Sequence, residues 1–176
     1  MKKAILFILL FTFYSVGAFA AEKMDNLIIY GDNFMISAKE PNGWKGDTTN
    51  ASVYHVNLVF YRNNETIQNA KTVIRILIAD KTDENTNEDL KYDMESYRKQ
   101  YPKVQFKDIL IKHPEYKAFP KLFYVADSFY EYVTYLNPGT KHRYNISVSM
   151  NLQKTEATKE DMKAYSSIIE SITALK

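Results

Sequence analysis

Two neighbouring segments, Phe129–Leu136 and Tyr144–Leu152, constrain this chain's fold more than any other feature. In the first, Phe129, Val133 and Tyr135 alternate with Tyr130, Tyr132 and Leu136, so both sides of a strand are apolar or aromatic and neither faces water. In the second, Tyr144, Ile146, Val148, Met150 and Leu152 oppose Asn145, Ser147, Ser149 and Asn151, the pattern of a strand wet on one face. A largely antiparallel sheet with helices on both faces fits both patterns better than a sandwich or barrel does. Further strands are predicted at Asn33–Ala38, Val53–Tyr61, Val73–Ala79 and Phe123–Ala126, about six in all, separated by charged, Asn-rich or Gly-containing turns.

Two helices supply the cover. Thr86-x-x-Asp89 provides a side-chain cap for a helix whose Leu90, Met94, Tyr97 and Tyr101 share a stripe, ended by Pro102. Thr158-x-x-Asp161 repeats the arrangement, and Met162, Tyr165, Ile168, Ile169 and Ile172 line one face of the C-terminal helix. The reading is α+β: an α/β/α sandwich around a largely antiparallel sheet of about six strands, with the C-terminal helix packed on it.

The amino terminus reads as a removable leader. Lys2 and Lys3 precede an apolar stretch from Ala4 to Val16, and Ala18-Phe19-Ala20 offers the small-x-small pattern that places a cut before Ala21. The apolar run falls short of the roughly 20 residues that span a bilayer. Residues 1–20 are therefore expected to be a signal peptide, and 21–176 one globular domain with no membrane span, exported to the periplasm or beyond. Without Lys2 and Lys3 the 23 basic residues become 21, equal to the 21 acidic ones, so no net charge favours nucleic acid. The chain has no cysteine, so neither disulfides nor thiolate metal sites contribute.

Catalytic patterns are missing. Gly31, Gly43, Gly46 and Gly139 cannot form a phosphate-cradling loop, and there is no Gly-x-Ser-x-Gly. His55, His113 and His142 stand apart without zinc-ligand spacing. Asp83, Asn85, Asn87 and Asp89 place oxygens at alternate positions, as the first half of a calcium loop does. Glu88 stands where the turn glycine belongs and Met94 where the closing glutamate belongs, so the segment reads as a solvated turn and no metal is expected. Eight aromatics between Tyr116 and Tyr135 serve either as core or as a binding strip.

One further segment, Phe34-Met35-Ile36-Ser37-Ala38-Lys39-Glu40-Pro41-Asn42-Gly43-Trp44, has an aromatic-led strand followed by Pro-x-Gly-Trp. With long strands and a final helix behind it, it resembles the opening of the PsbP-like and Mog-type superfamily. That resemblance implies an α/β/α fold and a non-enzymatic binding or assembly role, with no catalytic residues to carry over and no cofactor. The residues themselves give Pro41–Trp44 as a turn, with Trp44 covering an edge of the core. The expected function is an exported, non-enzymatic binding or assembly module of the bacterial envelope, its partner another envelope protein. The alternative is a carrier of a small apolar ligand in an aromatic pocket between helix and sheet. The candidate contact residues are Trp44, Tyr130 and Tyr132.

Overall fold

The computed structural model describes residues 26–81 and 86–175. The expected signal peptide and its cut before Ala21 lie outside the described residues. Along the chain come β1 (Asn26–Gly31), β2 (Phe34–Lys39), β3 (Trp44–Asp47), β4 (Leu58–Arg62), β5 (Val73–Asp80) and α1 (Thr86–Gln100). Then follow β6 (Gln105–Asp108), β7 (Lys117–Val125), β8 (Phe129–Asn137), β9 (Tyr144–Gln153), α2 (Lys159–Ser171) and β10 (Thr173–Ala174). The fold is mixed α+β. Every strand pairing is antiparallel. One sheet has seven strands in the order β3-β4-β5-β9-β8-β7-β6, the other three in the order β1-β2-β10.

The two patterned segments lie side by side in the larger sheet, with Tyr130 opposite Leu152 and Leu136 opposite Ile146. Ile146, Val148 and Met150 of β9 are wholly buried together with Leu58, Phe60, Ile74 and Ile76 from β4 and β5. On that side sits α2, whose Tyr165, Ile168 and Ile169 are fully buried, as the stripe predicts. Its start is the expected capping box: Thr158 Oγ1 accepts from Asp161 N while Asp161 accepts from Thr158 N. The Tyr165 hydroxyl reaches Thr134 Oγ1 at 3.0 Å and donates to the Val148 carbonyl at 2.9 Å. α1 packs over β7 and β8. Tyr97 packs edge-on against Phe123, ring centres 4.8 Å apart, and tilted against Phe129 at 6.2 Å. Among the described residues, no helix is long and apolar enough to cross a membrane.

Several sequence expectations need correction. There are ten strands in two sheets among the described residues, not about six in one. The four that carry no pattern are β1, the four-residue β3 and β6, and the two-residue β10. The expected strand Val53–Tyr61 begins only at Leu58, because Ala51–Tyr54 is a 3-10 turn closed by His55 in the left-handed region at φ 53°. The expected Phe123–Ala126 is the end of β7, whose Pro120 lies just beyond the stretch paired by β6, an edge position that tolerates a missing N–H. Pro41–Trp44 is the expected turn, with Trp44 N donating to the Pro41 carbonyl at 2.9 Å and Gly43 at φ 82°. Gly46 has a different reason to be glycine: a Cβ there would lie 2.0 Å from Leu27 Cδ1 of β1, where the small sheet meets the large one.

Candidate functional site

The polar face of β9, expected to be wet, is the floor of a cleft. Asn145, Ser147 and Ser149 lie along it, flanked by Leu77, Ala79 and Asp80 of β5 and by Glu131, Val133 and Tyr135 of β8. The N-terminal half of α1 forms the opposite wall through Asp89, Tyr92, Asp93 and Tyr97, enclosing about 380 Å³. The helix is fixed there by its first turns. The buried Thr86 hydroxyl donates to Asn145 Oδ1 at 2.7 Å, and Asn145 Nδ2 donates to Asp89 Oδ2 at 2.5 Å.

Four carboxylates line this cleft, and among the described residues no lysine or arginine does. Glu131 is only 7% exposed and accepts from the Asn151 amide. The Tyr135 hydroxyl donates to Asp93 Oδ2. Burial pushes the Asp93 carboxyl above the usual aspartate range, with repulsion from Asp89 adding to it and the Tyr135 bond only partly opposing it. Burial also raises the phenol of Tyr97, reinforced by the charges of Glu131 and Asp93, and that of Tyr135, reinforced by Asp93. Both phenols therefore stay protonated at neutral pH and act as donors, not bases. Tyr92 stands 74% exposed at the mouth. An acidic lining with aromatic faces and fixed hydroxyls suits a cationic group, an ammonium or a guanidinium, which gains both ion pairing and contact with ring faces.

The residues singled out in the sequence lie elsewhere. Trp44 is 4% exposed in β3, four strands away from Tyr130 and Tyr132 in the sheet order. The Arg62 guanidinium covers its ring at 5.1 Å and pairs with Asp161 at 2.8 Å. Tyr132 is 5% exposed beneath α2, where its hydroxyl accepts from Ala157 N at 3.2 Å and burial raises its phenol. Tyr130 is half-buried and stacks on Tyr124, ring centres 5.8 Å apart. None of the three lines the α1 cleft. Of the candidate calcium ligands, Asp83 and Asn85 lie outside the described residues. Asn87 and Asp89 fall in the first turns of α1, not in a loop, and Asp89 accepts from Asn145. Among the described residues no group of three or more His, Cys, Asp or Glu is placed to hold a metal ion.

Asp93, Tyr97, Glu131 and Tyr135 are the site residues that sequence reasoning missed as a group. One signal was available: Glu131 is the lone charged residue of a strand apolar on both faces, and a lone buried acid needs partners.

No protein-family model matches the chain, and no curated protein matches it. Among solved structures, the solution structure of cyanobacterial PsbP (CyanoP) from Synechocystis sp. PCC 6803 matches with a TM-score of 0.48 and 16% identity. The match covers 91% of this chain and 99% of that one.

Proposed function

We propose that this chain is an exported, non-catalytic binding or assembly module of a bacterial cell envelope, built as an α/β/α sandwich, which receives a basic side chain of another envelope protein in the cleft beneath α1. The observation that carries this reading is the lining of that cleft: four carboxylates, Asp80, Asp89, Asp93 and Glu131, beside the rings and hydroxyls of Tyr92, Tyr97 and Tyr135. Lys2, Lys3 and Ala18-Phe19-Ala20 support export. The raised phenols of Tyr97 and Tyr135 support binding, since both stay protonated at neutral pH and hold a ligand as hydrogen-bond donors.

Calorimetric titration with a short lysine- and arginine-bearing peptide, and with its glutamate-substituted counterpart, tests the reading. The basic peptide is expected to bind with an affinity that falls as salt rises, and to weaken about tenfold when Asp93→Asn and Asp89→Asn are combined. Equal binding of both peptides, or none, overturns the cleft as a cation receptor. Export is checked separately, by an intact mass of extracytoplasmic protein corresponding to the 156 residues from Ala21.

A further inference from the structure

A second cleft, of about 640 Å³, opens at the end of the large sheet where β5 begins, β9 ends and α2 starts. Three cations and two carboxylates line it, but Arg62 and Asp161 are spent on each other at 2.8 Å. Lys71, Arg75 and Glu156 remain, and none of them makes an ion pair among the described residues. Arg75 is placed in an unusual way for a cation. It rises from β5 between Val59 and Ser149, neither of which offers a carboxylate. Its guanidinium lies over the Tyr54 ring at 5.2 Å, and its Nε is shut from solvent with no protein acceptor in reach. A buried N–H without an acceptor is costly, so the fold holds Arg75 there at a loss that an arriving acceptor reverses. Stacking on an aromatic ring fixes the guanidinium plane, and its Nε and Nη edge matches two oxygens carried on one centre.

We infer that this cleft binds an oxyanion, a carboxylate or a phosphate, gripped by Arg75 after a small shift of its side chain, with Lys71 as the second positive charge. Glu156 is the one carboxylate in the lining without a cation of its own, and Lys71 and Arg75 together outweigh it. The site is separate from the cation cleft beneath α1. The two share no lining residue, so each can fail without the other.

The arginine Nε–H resonances in nitrogen-edited NMR spectra report directly on the grip. Inorganic phosphate and sodium acetate are titrated separately into the full-length mature chain at constant ionic strength, with sodium chloride as the control. A saturable shift of the Arg75 Nε–H signal is expected, weakened about tenfold in Lys71→Gln and lost from the amide shifts of the cleft in Arg75→Gln. Saturation by phosphate alone assigns a phosphoryl anion, by acetate alone a carboxylate, and by both the shared chemistry. Lys71 is exposed, so Lys71→Gln is read on a folded protein even if Arg75→Gln is destabilised. No saturable shift with either anion, or shifts unchanged by both substitutions, overturns the inference.

Discussion

The two helices have similar lengths and opposite constructions. α2 buries Asp161, Ala164, Tyr165, Ile168 and Ile169 within 13 residues, whereas α1 buries only Thr86 and Leu90 within 15. α2 is capped at its start and sealed at its end, where Ser171 Oγ donates to the Ile168 carbonyl and accepts from Lys39 N. α1 is held by its first turns on Asn145 and by aromatic contacts of Tyr97 and Tyr101 near its end, with the acidic cleft between. One face of the sheet is thus filled for stability, while the other keeps polar groups in place beneath a loosely packed helix. Local opening energies follow packing, so α1 is expected to open at a lower cost than α2.

The comparison breaks most readily in the buried stripe. Ile168→Ala should cost about 2–5 kcal/mol, the usual range for truncating a fully buried aliphatic side chain, with a matching fall in the chemical denaturation midpoint. Binding at the α1 cleft should fall only in proportion to the folded fraction. A variant with unchanged stability and lost binding would mean that α2, not α1, carries the recognition surface.

A smaller effect separates two tyrosines that each make a hydrogen bond under a helix. Tyr165→Phe leaves the Val148 carbonyl without its hydroxyl donor inside a closed core, an expected cost of about 1–3 kcal/mol. Tyr135→Phe removes the donor to Asp93 at the edge of an open cleft, where water can replace it, and should cost less than Tyr165→Phe. Equal losses by thermal denaturation would show that both faces are equally dry.

The smallest expected effect is on the pH dependence of stability, and two aspartates set its direction. Asp93 has a raised folded pKa, so its contribution is whole below the ordinary aspartate value and is lost as pH rises through the raised one. Asp47 is the reverse case. Burial pushes its carboxyl up, but donors on Asn50, Tyr61 and Thr49 together outweigh that and hold it below the ordinary value. Its contribution is present above the ordinary value and fades as pH falls through the lowered one. Asp93→Asn, which keeps an acceptor for Tyr135 and cannot ionise, should flatten the loss of stability on the rising side of the acid range. Urea midpoints across that range check it, and an unchanged slope would show that the Asp93 carboxyl is solvated.

What could be read from the sequence was local. The stripe and capping box of α2 are written within 15 consecutive residues, and the structure places them as expected. The interior position of β8 followed from its two apolar faces, since it lies between β7 and β9. The polar side of β9 is legible in its own residues, but the roof over it is not, because that roof comes from α1, more than forty residues earlier in the chain. The acidic cleft was hidden for the same reason. Asp93 and Tyr135 are unremarkable until α1 packs over β8, and Glu131 and Asn151 until antiparallel pairing sets them side by side.

The two-residue β10 joins β2 and completes the small sheet, with Thr173 opposite Ser37 and Ala174 opposite Ile36. Tyr116 and His113 secure the same stretch, through Ala174 N to the Tyr116 hydroxyl at 2.6 Å and His113 Nε2 to the Ile172 carbonyl at 2.9 Å. The pairing of β10 with β2 is among the most non-local in the molecule, and closing so long a loop is entropically unfavourable until much of the intervening chain is already ordered. The β1–β2 hairpin can therefore form early as a two-stranded unit of marginal stability. Its third strand arrives only when the last described residues have emerged and docked, which makes closure of the small sheet a late event in folding.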